Sequence, residues 1–118
     1  MNVLIVENDH GLGAVWADHI GRLGAEAELV DTQVQAVAAL REDRFDVVIL
    51  NLNLMSGSAM AVADYASYRW PETKVIFVTG KSFFSDGSIF RFVANACALV
   101  PRATPPSDLA ALVDYHGR

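Results

Sequence analysis

The sequence is short of the residues that would build a disulfide scaffold, a basic nucleic-acid surface or a membrane span. It holds a single cysteine, Cys97, so no disulfide closes within the chain and a reducing compartment is the expectation. Lys and Arg number 9 against 14 Asp and Glu, a net charge of −5, and the basic residues form no cluster. Direct binding to nucleic acid is therefore not expected, because neutralising phosphates requires a basic patch. No apolar run approaches the roughly 20 residues of a membrane helix. The opening "MNVLIVENDH" lacks the basic n-region of a signal peptide. These absences point to a soluble, cytoplasmic protein. His10, His19 and His116 do not have metal-ligand spacing. Gly11-Leu12-Gly13 lacks the third glycine of a dinucleotide loop. No linker or low-complexity segment interrupts the chain, and "ATPPS" (103–107) reads as one loop.

What is present is a large apolar fraction in a short chain. With 118 residues, 53% of them hydrophobic and 19% charged, the chain reads as one folded domain over 1–118. Four continuous apolar runs, "VLIV" (3–6), "DVVIL" (46–50), "KVIFVT" (74–79) and "CALV" (97–100), have the pattern of strands covered on both faces. "EAELVD" (26–31) alternates, as an edge strand does. Between them lie segments with helical spacing. Leu12, Val15, Trp16, His19, Ile20 and Leu23 mark the first, and Val34, Val37 and Leu40 the second. Met60, Val62, Ala63, Tyr65 and Tyr68 mark a third, residues 86–95 a fourth, and Leu109, Leu112 and Val113 the last, opened by Pro105-Pro106-Ser107. Strand followed by helix, repeated to the end of the chain, implies parallel strands joined by right-handed crossovers. The fold class expected is α/β: a flavodoxin-like (βα)5 doubly wound five-stranded parallel sheet, order 2-1-3-4-5.

In such a sheet ligands bind beyond the carboxyl ends of the strands, near the point where strand order reverses. The residues there are Glu7-Asn8-Asp9 after the first strand, Asn51-Leu52-Asn53 after the third, Thr79-Gly80-Lys81 after the fourth and Pro101-Arg102 after the fifth. "VLIVEND", "VVILNLNL", "VTG" and "ALVPR", in this order and spacing, resemble the receiver domain of two-component response regulators over essentially the whole length. The resemblance implies Mg²⁺ held by two acidic residues after the first strand, an aspartate ending the third and a carbonyl two residues on. It also implies a phosphoryl group accepted by that aspartate from a histidine kinase, then bound by a Thr/Ser and a Lys. Carried over residue by residue, the match is partial. Glu7 stands at the first acidic position, Asn8 at the second, and Asn51 at the phosphoacceptor. Asn53 fits the carbonyl donor and Thr79 the switch hydroxyl. Arg102 takes the lysine's place in the alignment that also puts Ala96 on the family's alanine and Leu109 on its last-helix leucine; a shifted alignment puts Pro101 there. Leu99 replaces the switch aromatic and Ala103 the following proline.

A carboxamide oxygen is neutral and a weak nucleophile, whereas this transfer needs an anionic oxygen. The same substitutions remove anionic ligands from a site for a hard cation. The expectation is a stand-alone, degenerate receiver with no catalytic residue, no cofactor and weak or absent Mg²⁺ binding; Glu7 and Asn53 are the ligands if an ion binds at all. The freed amides can bond each other, Thr79 or Arg102, Arg102 can pair with Glu7 in place of the ion, and Asp9 reads as the cap of the first helix. Signalling would then run through a partner protein or a component of a histidine-kinase pathway. "KSFFSDGSIFRF" (81–92) supplies interface candidates Phe83, Phe84 and Phe90, and a homodimer would use the face of the fourth helix, fifth strand and last helix. Two other readings stay open. One is a receiver phosphorylated on another carboxylate, Asp9; the other is a small flavodoxin-like ligand-binding protein using the amide-lined pocket.

Overall fold

The computed structural model describes residues 1–80 and 93–118. The chain runs β1 (Asn2–Val6), α1 (His10–Gly21), β2 (Glu26–Val30), α2 (Gln33–Glu42), β3 (Val47–Asn51), α3 (Ala59–Arg69), β4 (Lys74–Thr79), β5 (Ala96–Pro101) and α4 (Pro106–Gly117). All pairings are parallel, in the order β2-β1-β3-β4-β5. This is the predicted sheet, with four helices among the described residues. The first part of the expected fourth helix, and with it Phe83, Phe84 and Phe90, lies outside the described residues. Residues 93–95 form a turn, in which Ala96 N–H donates to Val93 O at 3.1 Å.

The strands read as continuous apolar runs because both sheet faces are covered. Val3 and Ile5 of β1, Val47 and Ile49 of β3, and Ile76 and Val78 of β4 pack with Trp16, Ile20, Leu109 and Val113 from α1 and α4. The alternate residues, Leu4, Val6, Val48, Leu50, Val75 and Phe77, pack with Ala36, Leu40, Val62, Ala63 and Ala66 from α2 and α3. Period-two alternation thus serves two cores rather than one core and solvent. The helices begin where side chains satisfy free N–H groups. Asp9 Oδ1 accepts from Leu12 N–H at 3.1 Å, Thr32 from Gln35 N–H at 3.1 Å, and Ser58 from Ala61 N–H at 3.1 Å. α4 opens without a side-chain cap, on Pro106, whose missing donor costs nothing at that position. Gly13 brings α1 against β2, since a Cβ there would meet Leu29 Cδ1 at 2.6 Å.

The apolar stripes of the helices depart from the expectation. Val34 is 79% exposed and Tyr68 82%, and Val15 and Leu23 are exposed too. α2 instead seats Ala36 and Leu40, and α1 seats Gly13, Trp16 and Ile20. The reason is that small residues let a helix lie close to the sheet, so alanine and glycine, which spacing by large side chains overlooks, define the inward face. Trp70 anchors the end of α3 by donating Nε1–H to Leu40 O at 2.7 Å. Leu40→Ala should therefore lower unfolding free energy by about 2–5 kcal/mol, while Val34→Ala changes it by less than about 0.5 kcal/mol. Urea unfolding of the two variants measures this, and the reverse ranking would mean α2 sits on its other face.

Candidate functional site

The parallel ladders deliver the expected residues to one edge. Glu7 N–H donates to Val30 O at 3.0 Å, which extends the β1–β2 ladder by one residue and carries the Glu7 side chain over the sheet. It is fully buried. Asn51, the last residue of β3, is also buried and faces it: Asn51 Nδ2 donates to Glu7 Oε2 at 3.0 Å. The same Oε2 accepts the Asp9 backbone N–H at 3.0 Å. On its other side Asn51 Oδ1 accepts from Asn53 N–H at 2.8 Å, an Asx turn that folds the chain back as it leaves the strand. The carboxamide serves both partners because it carries a donor and an acceptor, where an ionised carboxylate carries acceptors alone.

Among the described residues Asn51 bonds Glu7 and the Asn53 N–H, and Asn8 bonds Met55, rather than each other or Arg102, which corrects the expectation for Asn8 and Asn51. Asn8 Oδ1 accepts from Met55 N–H at 3.1 Å and so ties the exit of β1 to the loop after β3. Geometry explains the difference: the β1–β3 pairing sets Asn51 against Glu7, and Asn8, one residue on, points to the neighbouring loop. That loop is clamped from α2 as well. Gln33 N–H donates to Ser56 O at 3.2 Å, and Gln33 Oε1 accepts from Ser58 N–H at 2.7 Å. Gly57, at φ 95°, passes so close that a Cβ would meet Gln33 Cβ at 2.3 Å. Gln33 was not among the expected site residues. The signal in the sequence was Gly57 between two serines, which marks a turn but not its partner.

Arg102 enters from the end of β5. Its backbone N–H donates to Thr79 O at 2.8 Å, and Thr79 itself is buried at the end of β4, paired in register with Pro101. The guanidinium Nη2 donates to Asp9 Oδ2 at 3.2 Å. Its Nε stands 3.6 Å from Glu7 Oε1, inside Coulombic range but beyond a hydrogen bond, and among the described residues neither of these buried atoms has a hydrogen-bond partner. The Leu12 N–H at the start of α1 holds the Asp9 carboxyl below the usual aspartate range; partial desolvation opposes this and the Arg102 charge adds to it. Gly80 N–H reaches Asn53 Oδ1 at 3.4 Å, a long contact. Asn8, Asp9, Asn51, Asn53, Gly80 and Arg102 line a cleft of about 390 Å³ together with exposed Met55. Leu99 is not in it; half-buried in β5, it packs against the α2–α3 core. Cys97 is likewise half-buried, and burial pushes its thiol pKa up. Two other clefts of similar size, one along Asn2, Glu26 and Phe45 and one along His10, Leu29 and Gln35, gather no comparable set.

A profile of the response regulator receiver domain matches residues 3–112. The chain belongs to that family. Three solved structures show how closely this receiver keeps the fold. The CheY-like receiver from Methanospirillum hungatei superposes with a TM-score of 0.87 at 22% identity, over 98% of this chain and 92% of its own. The N-terminal domain of a response regulator from Carboxydothermus hydrogenoformans gives 0.87 at 21% identity, over 100% and 94%. The receiver of a Luxo repressor protein from Vibrio parahaemolyticus gives 0.86 at 20% identity, over 98% and 88%. At these identities the likeness is one of fold. No curated protein matches the sequence. Receiver domains are signalling domains of two-component systems and work with kinases and partner proteins. Among the described residues no helix of this receiver is long and apolar enough to cross a membrane.

Asn51→Asp replaces a buried donor with an acceptor that faces Glu7 Oε2. It should lower stability by about 2–4 kcal/mol without divalent ions, and Mg²⁺ should restore the loss only when Asn8→Asp is added. Thermal melts of the single and double variants test this; an Asn51→Asp protein that melts like the parent would mean the Asn51–Glu7 bond contributes nothing.

Proposed function

We propose that this receiver signals by docking a partner protein and does so without accepting a phosphoryl group. The observation that carries the reading is the Asn51 carboxamide, buried and bonded on both sides, at the position the family uses for its aspartate. Its oxygen is neutral and already accepts the Asn53 N–H. Attack on phosphorus would need an anionic oxygen free of that bond.

While Arg102 stands between Glu7 and Asp9, the metal that receivers of this family hold does not fit these residues. A hard divalent cation takes several oxygens, carboxylates foremost. Here Glu7 Oε2 serves Asn51 and Asp9, the Asp9 carboxylate is engaged by Leu12 and Arg102, and Asn8 Oδ1 by Met55. Glu7 Oε1 remains, and a guanidinium stands beside it. Among the described residues no three His, Cys, Asp or Glu side chains gather around one point. Without a divalent cation, and with the Arg102 charge already set against Glu7 and Asp9, the charge that develops on a transferring phosphoryl group has no adequate counterweight.

The output would then be a fixed surface. Its partner, a protein of a two-component pathway or a second copy of the chain, would meet the face that carries β5 and α4, where Tyr115 stands 76% exposed with its ring edge-on to His116. The acidic balance of the chain disfavours nucleic acid as that partner. Incubation with acetyl phosphate and Mg²⁺, followed by intact-mass measurement, should show no added phosphoryl group. An adduct that survives Asp9→Ala and disappears in Asn51→Ala would refute the reading; an adduct that disappears in Asp9→Ala would move the modification to Asp9.

A further inference from the structure

We propose that Arg102 is the resident cation of the cleft: its guanidinium neutralises Glu7 and Asp9 together, and while it is in place it bars a divalent ion from the same oxygens. This rests on the reading above, that the receiver works without phosphoryl transfer, and extends it to how the cleft stays stable when empty. The starting point is Glu7. Its carboxylate has no solvent contact, and a buried carboxylate needs compensating charge and hydrogen bonds. Asn51 and the Asp9 N–H satisfy Oε2 alone. Among the described residues Oε1 accepts no hydrogen bond, and Arg102 Nε, at 3.6 Å, is an equally buried donor without an acceptor. The two orphans are complementary and face each other.

Arginine suits this place in a way lysine would not. Its planar fork presents Nε to Glu7 and Nη2 to Asp9 at once, while an ammonium is a single point of charge. The stem passes over Gly80, where a Cβ would come within 3.7 Å of Arg102 Cδ, and the backbone is pinned by the bond to Thr79 O. The side chain is still 39% exposed, so it can leave. A divalent ion bound to Glu7 Oε1 would lie in direct contact with the guanidinium, and like charges sharing one oxygen repel. Occupation by Arg102 and by a metal therefore exclude each other.

The experiment is a thermal-melt titration of the full chain with Mg²⁺ and Mn²⁺ and no phosphodonor, on the parent, Arg102→Gln, Arg102→Lys, Glu7→Gln and the double variant Glu7→Gln/Arg102→Gln. The parent should not respond to millimolar ion. Arg102→Gln should melt on the order of 5 °C lower and regain most of that loss on adding the ion, since a ligand that binds only the folded state stabilises it. Arg102→Lys should fall between them. In the Glu7→Gln background Arg102→Gln should cost little and confer no ion response. Should Arg102→Gln fail to fold alone, Arg102→Lys and the double variant carry the test. The proposal is overturned if Arg102→Gln melts like the parent, if parent and variant respond equally to ions, if the variant melts lower but takes no ion, or if its loss is the same when Glu7 is neutral. A phosphoryl adduct on Asn51 would defeat the docking reading and leave this titration standing, so the two failures can be told apart.

Discussion

A carboxylate held out of water at the end of a central strand constrains every group near it. Glu7 is placed there by the β1–β2 ladder, which continues one residue past Val6, and its charge has to be met by hydrogen bonds and a counter-ion. Three groups converge to do so: the Asn51 amide, the Asp9 N–H and the Arg102 guanidinium. Each comes from a different exit of the sheet or from the turn beside it. The fold's parallel order makes this convergence geometric, because β1 and β3 lie side by side and β5 lies beyond β4 on the same carboxyl edge. Removing the constraint would leave no reason for an amide at position 51 to point inward.

The same set of contacts decides what chemistry the cleft can support. Glu7 Oε2, both Asp9 oxygens, Asn8 Oδ1 and Asn51 Oδ1 each accept a donor from the chain, and beside Glu7 Oε1 a cation from the chain stands close by. The loops over the cleft are tied by Asn8 to Met55 and by Gln33 to Ser56 and Ser58, so the β3–α3 connection is held by the protein's own bonds. A site arranged this way is suited to keeping one shape. That fits a domain whose family works with kinases and partner proteins, and it is the arrangement the proposed docking function calls for.

Much of the fold was legible in the residues, and the reasons are specific. The continuous runs at 3–6 and 74–79 mark strands buried on both faces, and they lie within one residue of β1 and β4. Asp9 read as a helix cap and is one. The alternating "EAELVD" read as an edge strand, and β2 is at the edge. The helix faces were less legible, because Ala36, Ala63 and Gly13 pack inward while Val34 and Tyr68 point out, and spacing by large apolar residues cannot see a face built of small ones. In the site, the positions of Glu7, Asn51 and Arg102 followed from strand order, and the pairing of Arg102 with Glu7 follows from opposite charge. Which amide bonds which partner did not: Asn51 and Asn8 are the same residue type, and their different partners depend on register and loop path, which emerge only in three dimensions. Gln33 was invisible for the same reason, being 23 and 25 positions before the two serines it clamps, Ser56 and Ser58.

The most direct test is a crystal structure of the full chain grown with Mg²⁺ and beryllofluoride. The account predicts a cleft that holds neither, with Asn51 Nδ2 within hydrogen-bond distance of Glu7 and the Arg102 guanidinium between Glu7 and Asp9. Magnesium coordinated by Glu7, with beryllofluoride against Asn51 and Arg102 turned out to solvent, would contradict it.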